Sequence, residues 1–322
     1  MGRRGRSSPD GPDGLVVVDK PAGWTSHDIV AKSRGLLGTR RVGHAGTLDP
    51  DATGVLLLGV GKATKLLRFL SPLGKRYVGE VQLGVETASL DSSGDVTAVH
   101  DMAAVTLDQV VETARRFVGD IEQIPPMVSA VKVDGRRLHQ LAREGIEIER
   151  APRPVTIHEL VVGPVPEPRG LRIGGEPTAE WLAAAAGGSG LAFSLDVTCS
   201  SGTYIRTLAA DLGEALGGGA HLCSLRRVSV GPFTLDDAVA LEAVDPARVL
   251  DLVEVVRHLP SVVVDDERAA DVAVGRVLDR EALGVEAEGE GPWAIIGPGG
   301  GLLAVYEPFR GASLKPSLVI AP

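Results

Sequence analysis

Residues 41–54 read Arg-Val-Gly-His-Ala-Gly-Thr-Leu-Asp-Pro-Asp-Ala-Thr-Gly and predict a tight loop that leads into a buried strand. Three glycines and one proline in so short a stretch favour turns over a helix. Residues 55–60 follow as an apolar run, which is typical of a strand buried on both faces. A similar run, residues 15–18, precedes the break at Pro21, so two core strands are expected in this part of the chain.

Asp49 is the residue of this loop that is best suited to chemistry. It stands between Leu48 and Pro50, and the proline restricts its backbone to extended conformations. It is the first carboxylate after residues 29–48, which contain cations and no acid. A carboxylate held against an arginine stays ionised and can act as a nucleophile or a base. An aspartate in such a loop is also a common turn residue, so the spacing alone leaves both interpretations open.

Charge is distributed unevenly along the chain. The 33 Lys and Arg against 42 Asp and Glu give a net charge of −9, which argues against a general coat for nucleic acid. Residues 29–79 nevertheless hold nine Lys or Arg and two Asp, whereas residues 251–322 hold six Lys or Arg and twelve Asp or Glu. The basic segment indicates either a local site for a polyanion or a solvated cationic surface without a ligand.

The composition of the 322-residue chain excludes several classes of protein. Its 44 % hydrophobic and 23 % charged residues are typical of globular proteins and exclude extensive disorder. Its two cysteines, Cys199 and Cys223, exclude a disulfide framework and favour the cytoplasm. No apolar run is long enough to predict a membrane span. Residues 1–13 begin with basic residues that no apolar run follows, which predicts a flexible tail and not a signal peptide.

Helices and strands follow one another without a regular order. Thr25 or Ser26 can cap a helix that ends at Gly38, and residues 204–216 have the apolar spacing of a second helix. From Tyr77 onward apolar and polar residues alternate, which indicates a half-exposed strand. We therefore predict an α+β fold with a mixed, largely antiparallel sheet and flanking helices. Two further helix patterns cover residues 63–70 and 107–118.

The C-terminal part of the chain has a pattern of its own. After Pro260, short strand candidates alternate with turns rich in Gly and Pro, which predicts a small β-rich unit. We expect one domain over residues 14–258 and a second over residues 259–322. Residues 164–190, rich in Pro, Ala and Gly, are expected to form a loop or insertion within the first domain.

Motifs that would indicate a cofactor or a metal do not meet their requirements. The glycines around Lys62 lack the first glycine and the hydroxyl residue of a phosphate-binding loop. The Asp49 loop lacks the bidentate glutamate of a calcium loop. His221 and Cys223 have no second pair that would complete a zinc site. No metal and no cofactor are therefore expected.

Several segments resemble, in the same order, one family of RNA-modifying enzymes. The Asp49 loop closely resembles the catalytic motif of the bacterial tRNA pseudouridine synthases that act on the T-arm uridine at position 55. The other similar segments are residues 17–26, 75–77, 125–132, 136–143, 199–208 and 220–227. The C-terminal unit looks like a small PUA-type β domain. The resemblance implies the α+β fold of that family and its isomerase activity.

The resemblance implies roles for individual residues. Asp49 matches the nucleophile, Tyr77 the aromatic residue that stacks on the flipped uracil and takes part in proton transfer, and Arg206 the cation that pairs with the nucleophile. His44 matches a residue that packs against the RNA where the base is extruded. The remaining matches are the pocket-lining Tyr204 and Leu225 and a basic residue near the loop, Lys20. Ser201 departs from the family, in which a lysine is common, so one phosphate contact is expected to be absent.

The implied reaction agrees with the chemistry of these residues. A uridine within a stacked stem-loop must be flipped out before its glycosidic bond can be reached, and an aromatic face can replace the lost stacking. A carboxylate stays ionised in such a site if an arginine is paired with it. The reaction imports no group and moves no electrons between molecules, so no metal or cofactor is required.

The expected partner is the T-arm stem-loop of tRNA, whose phosphates the basic segment would bind. We expect no membrane contact, no obligate protein partner, a monomer, and a cytoplasmic location. Two other functions remain open at this level. One is a non-catalytic RNA-binding or tRNA-chaperone protein on the same scaffold, and the other is an unrelated small-molecule enzyme with a coincidental loop. Likewise, Tyr77 could be a core residue and Arg206 an ordinary helix residue.

Overall fold

The computed structural model describes residues 11–129, 132–133, 136–137, 141, 144, 146, 148–165, 179–285 and 289–320. Within these ranges the fold contains one ten-stranded sheet, one five-stranded sheet, two two-stranded sheets and a set of short helices. The strands are β1 Gly14–Lys20, β2 Val42–Ala45, β3 Thr53–Val60, β4 Lys75–Leu83, β5 Val85–Thr87, β6 Val96–Val99, β7 Gly119–Gln123, β8 Lys132–Val133, β9 Arg136–Arg137, β10 Arg153–Pro164, β11 Ala192–Cys199, β12 Ala220–Val230, β13 Phe233–Thr234, β14 Val239–Ala240, β15 Ser261–Val263, β16 Leu278–Asp279, β17 Trp293–Ile296, β18 Leu302–Pro308 and β19 Ser313–Val319. The α-helices are α1 Ser26–Leu36, α2 Leu67–Leu70, α3 Leu107–Ala114, α4 Ala179–Ala185, α5 Ile205–Ala215, α6 Leu252–Val255 and α7 Asp266–Ala273.

The larger sheet has ten strands in the order β14–β1–β3–β12–β4–β11–β10–β7, with β2 paired to β3 and β13 paired to β12. Its strand pairs are antiparallel except β1–β14 and β3–β12, which are parallel. The predicted α+β fold with a mixed, largely antiparallel sheet is therefore confirmed. Strand β4, where apolar and polar residues alternate, lies at the centre between β12 and β11.

Helices cover this sheet where its side chains are apolar. Val110 of α3 and Leu208 and Leu212 of α5 pack with Val81 and Phe193 of the sheet in one core cluster. On the other half of the sheet, Ile29 and Val30 of α1 pack against the even-numbered residues of β1 and β3. The apolar runs at residues 15–18 and 55–60 therefore form strands that are buried on both faces, as predicted.

Local capping explains where α1 begins. Thr25 precedes the helix in an extended conformation, and its hydroxyl accepts a hydrogen bond from the Asp28 amide. The Asp28 carboxylate in turn accepts one from the Thr25 amide at 3.0 Å, so the two residues form a capping box. This agrees with the predicted start of the helix.

Two helix predictions were too long. Residues 63–70 form a 3₁₀ turn over Gly61–Lys65 and the single-turn helix α2. Residues 107–118 form α3 and then a 3₁₀ turn over Arg115–Phe117, and Gly119 begins β7 with a positive φ of 107°. The 3₁₀ turn precedes the α-helix in the first segment and follows it in the second.

The C-terminal unit is a five-stranded sheet in the order β15–β17–β18–β19–β16. It packs against the larger sheet, since Ala294, Ile296 and Leu302 share a core cluster with Leu15 and Val55. The predicted β-rich unit is confirmed, while the division of the chain at residue 258 stays a prediction. Of the predicted 164–190 insertion, residues 166–178 lie outside the described residues, as do residues 1–10 of the predicted tail. None of the described helices has the length and apolar character that crossing a membrane requires.

Candidate active site

The loop that carries Asp49 connects β2 to β3 and lies against strand β12. Gly54 has a φ of +100°, and a β-carbon there would lie 2.1 Å from the Arg227 carbonyl oxygen of β12. Gly46 has a φ of +76°, and its β-carbon would lie 3.3 Å from Nη1 of Arg227. Both positions therefore require glycine, because no other residue combines this backbone conformation with so close an approach.

Side chains from the preceding elements hold this loop in place. The Ser26 hydroxyl accepts a hydrogen bond from the Leu48 amide at 3.0 Å and donates one to the Leu48 carbonyl at 3.2 Å. The Lys20 ammonium donates to the carbonyls of Pro50 at 2.6 Å and Ala52 at 2.7 Å. The loop is thus anchored on both sides of Asp49 by residues of β1 and α1.

Lys20, which the sequence predicts to bind substrate, lies inside the protein. Its side chain is completely buried, and its ammonium also donates to the Pro21 carbonyl at 2.9 Å. Burial lowers its pKa to about 8, although Asp51 and Asp49 oppose that shift. With three carbonyls around it and no exposed surface, Lys20 holds the loop in this structure, and its role in substrate binding stays a prediction.

Asp49 forms a bidentate ion pair with Arg206. The guanidinium Nε lies 3.0 Å from Oδ2, and Nη2 donates to Oδ1 at 3.2 Å. Arg206 is the second residue of α5, so the pair joins this helix to the loop between β2 and β3. The Arg206 side chain is 5 % exposed and that of Asp49 is 38 % exposed. A planar fork against a carboxylate fixes the orientation of both groups.

The remaining donors of Arg206 are bound by residues far away in sequence. Nη2 donates to the Val128 carbonyl at 2.8 Å and Nη1 to the Ser89 carbonyl at 3.0 Å. Nη1 also lies 3.6 Å from a carboxylate oxygen of Asp91, which is 4 % exposed. Asp91 itself accepts hydrogen bonds from the hydroxyls of Ser89 and Ser93, both at 2.6 Å. The guanidinium is therefore held in position by contacts within the protein itself.

These neighbours shift the pKa of Asp49 in opposite directions. Burial raises it above its ordinary value, and the Arg206 charge lowers it, while the nearby Asp91 raises it further. The net direction is upward. A carboxylate with a raised pKa is a better nucleophile or base than an ordinary one, provided that its cation keeps it ionised.

Asp49 lines a cavity of about 280 Å³. This is close to the lower end of the volumes that small-molecule sites occupy. Arg206 and the aromatic rings of Tyr77 and Tyr204 line the same cavity, together with the apolar side chain of Leu225. Tyr77 is 7 % exposed, and burial raises the pKa of its phenol, so its hydroxyl is protonated at neutral pH. A cavity with a flat aromatic wall and one carboxylate can hold a planar base beside a nucleophile.

A buried amide fixes the wall that carries Tyr204. The Gln123 side chain accepts a hydrogen bond from the Tyr204 amide at 2.9 Å and donates one to the Tyr204 carbonyl at 3.2 Å. Tyr204 directly precedes α5 and has no capping side chain of its own. Gln123 at the end of β7 therefore fixes the start of the helix that presents Arg206.

The amino-acid sequence matches the model of the TruB family pseudouridylate synthase (N terminal domain) over residues 34–205. The chain belongs to this family. Residues 206–259 match the tRNA pseudouridylate synthase B C-terminal domain. The first match includes the Asp49 loop, Tyr77 and the first residue of α5. The second match begins at Arg206.

Full-length relatives agree with this assignment. The chain is 43 % identical over 319 residues to a tRNA pseudouridine synthase B of Arthrobacter sp. (strain FB24), with 96 % of this chain and 97 % of the relative covered. It is 44 % identical over 302 residues to that of Streptomyces coelicolor, with 93 % and 95 % covered. Its fold is similar to a chain in the crystal structure of a Cbf5–Nop10–Gar1 complex, with a TM-score of 0.69, 25 % identity and coverage of 99 % and 92 %.

The pseudouridylate synthase site gathers most of the residues predicted for it. Asp49, Tyr77, Arg206, Tyr204 and Leu225 all line the one cavity. Their positions come from the loop, from strands β4 and β12, and from the start of α5. The roles assigned to them stay predictions, and the geometry is compatible with each.

His44 lies outside the lining of this cavity. Its ring is in edge-to-face contact with the ring of the exposed His27, at a centroid distance of 5.2 Å and an interplanar angle of 80°. Burial, aided by the charges of His27 and Arg227, lowers the pKa of His44 to about 4. The imidazole is therefore neutral at physiological pH, and it belongs to β2, the strand that leads into the loop.

Sequence reasoning missed four buried polar residues of the site: Asp91, Gln123, Lys75 and Arg227. Lys75 precedes Tyr77 by two residues in β4, and residues two apart in a strand lie on the same face. The alternation in the sequence could therefore have placed Lys75 beside Tyr77. For Asp91 and Gln123 the chain offers no such signal, because their partners lie far along the sequence. Among the described residues, no group of three or more His, Cys, Asp or Glu is arranged to hold a metal ion.

Proposed function

We propose that this pseudouridine synthase acts on the uridine at position 55 in the T-arm of tRNA, with Asp49 as its nucleophile, Tyr77 as the stacking face and Arg206 as the paired cation. The observation that carries the proposal is the bidentate Asp49–Arg206 pair at a cavity lined by Tyr77. The relatives with which the chain shares 40–44 % identity are named tRNA pseudouridine synthase B, which supports a tRNA substrate.

The chemistry requires each of these groups. The C1′–N1 bond of uridine breaks, the uracil turns, and a C1′–C5 bond forms while the proton on C5 is lost and N1 gains one. The product is an isomer of the substrate, so atoms and electrons balance without a co-reactant. Flipping the base costs a few kcal/mol, and stacking on an aromatic ring returns roughly 1–3 kcal/mol per base.

In this proposal Asp49 supplies the electron pair that starts the reaction. Arg206 opposes the rise in the pKa of Asp49 that burial causes, and so favours the ionised carboxylate that the reaction needs. If the carboxylate attacks C1′, the electron pair of the C1′–N1 bond leaves with the uracil, and the bond from C1′ to Asp49 breaks when C5 of the turned base attacks C1′. If the carboxylate attacks C6 of the base, the electron pair of the C5–C6 double bond moves onto the uracil carbonyl, and the bond from C6 to Asp49 breaks when that double bond forms again. The cavity wall of Tyr77 and Leu225 keeps the base close while it turns.

The basic segment supports the binding of an RNA stem-loop. Lys32, Arg40, Arg41 and Lys65 are exposed and close in sequence to the Asp49 loop or to α1 and β2. Two other cations of the segment are engaged within the protein: Lys75 is buried, and the exposed Arg76 pairs with Asp196. Phosphate neutralisation by the exposed group would give binding that weakens with salt.

Further parts of the proposal concern organisation. We propose that residues 14–258 form the catalytic domain, that residues 259–322 form a PUA-like domain, and that the protein works as a monomer without an obligate protein partner. Because tRNA is the substrate, the cytoplasm is the proposed location. The alternative of a non-catalytic RNA-binding protein is not favoured, since the carboxylate, the aromatic face and the cation are all retained.

The test is release of tritium from a tRNA transcript labelled at uracil C5. The wild-type protein is compared with Asp49→Asn, and with Asp51→Asn as a matched control on the same loop. We expect release by the wild type and by Asp51→Asn, and none by Asp49→Asn, while all three bind the transcript.

Two outcomes would contradict the proposal. Release by Asp49→Asn at the wild-type rate would remove Asp49 from the chemistry. Binding of the transcript by all three proteins without release by any would favour the non-catalytic function. A transcript with cytidine at position 55 identifies the site, because the wild-type protein should release no tritium from it.

A further inference from the structure

Two adjacent arginines of β12 face opposite sides of the sheet. The Arg226 guanidinium forms a bidentate pair with Asp19, at 3.0 and 2.7 Å, and its side chain is 38 % exposed. Arg227 is completely buried. Among the described residues it has no carboxylate within ion-pairing distance, and backbone carbonyls take up its donors. Burying a cation without a carboxylate is unfavourable, so the fold is expected to retain one only where it has a task.

The carbonyls that Arg227 contacts lie at both ends of the Asp49 loop. Nη2 donates to the Gly46 carbonyl at 2.9 Å, before Asp49, and Nε to the Val55 carbonyl at 2.7 Å, after it. Nη1 lies 3.5 Å from the Thr47 carbonyl. One planar group thus ties the entrance of the loop to its exit. A lysine could not do this, since a single ammonium cannot present donors in a fixed fork.

The same side chain is the direct cross-strand neighbour of Tyr77. In the antiparallel pair of β12 and β4, Arg227 lies opposite Tyr77. Directly opposed residues in such a pair have their side chains on one face and in contact. The positive charge of Arg227 opposes the rise in pKa that burial causes at the Tyr77 phenol. Both residues line the cavity.

We propose that Arg227 is a positioning residue of the active site, which holds the Asp49 loop and the ring of Tyr77 in a fixed relation to each other. This rests on the proposed function, because it assigns Asp49 and Tyr77 to one reaction. Arg227 has no exposed surface, and its donors are directed to the loop carbonyls. It acts through Asp49 and Tyr77.

The other groups that face Tyr77 do not duplicate this connection. Cys199 of β11 is a buried thiol whose pKa burial raises to about 11. Lys75, on the same strand as Tyr77, donates to the carbonyls of Ser71 and Leu73. Asp49 is held by Arg206. Of these groups, Arg227 is the one that contacts both the loop backbone and the phenol.

The experiment compares Arg227→Lys and Arg227→Gln with matched changes at the neighbouring position, Arg226→Lys and Arg226→Gln. For each protein, we would measure the melting temperature, the affinity for a T-arm stem-loop RNA, and the single-turnover rate of tritium release. The protein is also labelled with 3-fluorotyrosine, because its three tyrosines give few ¹⁹F signals and Tyr77→Phe assigns the relevant one.

We expect both Arg227 variants to remain folded and to bind RNA about as well as the wild type, with single-turnover rates about a hundredfold lower, as a displacement of about 1 Å can cause. The Tyr77 ¹⁹F signal should shift in both Arg227 variants and in neither Arg226 variant. Arg227→Lys should not restore the rate, because the fork and not the charge is needed.

Three results would overturn the proposal. Equal rates in the Arg227 and Arg226 variants would show that the loop needs no such tie. A lower rate with an unchanged Tyr77 signal would exclude the link to Tyr77. Loss of folding and of RNA binding in both Arg227 variants would make the residue structural only. If the wild-type protein itself released no tritium, the proposed function would fail, while the ¹⁹F signals would still test the contact between Arg227 and Tyr77.

Discussion

Replacement of Arg206 by lysine tests the ion pair on which the proposed chemistry depends. In the wild type, two donors of the guanidinium meet the two oxygens of Asp49, at 3.0 and 3.2 Å. A lysine ammonium can keep the charge but can satisfy at most one of these oxygens while it also loses the contacts to Val128 and Ser89. The variant therefore separates the fork geometry from the positive charge.

The size of the effect follows from the lost hydrogen bond. A hydrogen bond to a charged group contributes about 1.5–3 kcal/mol. Because the Asp49 side chain is 38 % exposed, solvent screens the pair, and the lower end of about 1.5–2 kcal/mol applies. That corresponds to a single-turnover rate about 10–30-fold lower. The loss should be greater at low pH, because the pKa of Asp49 rises further when its partner is weakened and more of the carboxylate is protonated.

The assay is single-turnover tritium release, measured from the most acidic pH at which the protein stays folded up to about pH 8.5. Arg76→Lys is the matched control, because Arg76 forms a bidentate pair with Asp196 away from the cavity, at 2.8 and 2.6 Å. A rate for Arg206→Lys equal to that of Arg76→Lys, or a loss that is independent of pH, would refute this reasoning.

Three further predictions concern the same loop and its surroundings. Gly54→Ala should lower the free energy of unfolding by about 3 kcal/mol or more, since a β-carbon there meets a carbonyl oxygen at 2.1 Å. Gly38 has a φ of +64° and open space around it, so Gly38→Ala should lower that free energy by only about 1–2 kcal/mol, and chemical denaturation measures both. The pKa of Lys20 is lowered to about 8, so the folded state binds fewer protons than the unfolded state above that pH. As the pH rises from about 8 to 10.5, the free energy of unfolding of the wild type should therefore increase relative to that of Lys20→Met, by up to about 3 kcal/mol. The same dependence of this free energy on pH in both proteins would exclude the prediction. Reversing the charge of Arg40 and Arg41 together should weaken RNA binding. It should also reduce the slope of log affinity against log salt concentration by about one unit per lost phosphate contact. An unchanged slope in filter-binding titrations would argue against a basic binding surface.

Much of the fold could be predicted because it depends on local pattern. The apolar runs of β1 and β3 are strands in any structure that buries them, and the capping residues Thr25 and Asp28 specify the start of α1 within a few residues of chain. The predicted helix end at Leu70 agrees with α2, but the start of that helix and the helix end at residues 115–118 were less accurate, because 3₁₀ turns take the place of α-helix there.

The order of strands in the large sheet could not be predicted from these patterns. Strand β12 lies between β3 and β4, although more than a hundred residues separate it from either of them along the chain. Pairing of this kind is decided by which apolar faces can be buried together, and not by any local signal.

The residues of the site divide in the same way. The sequence by itself determined the loop, its carboxylate and the glycines that flank it, because backbone conformation at glycine and proline is a local property. Only the tertiary structure decided that Lys20 is a buried anchor, that Arg206 is also bound by Val128 and Ser89, and that Arg227 lies opposite Tyr77. Those facts depend on long-range strand pairing, which sets the distances and the burial that give a charged side chain its role.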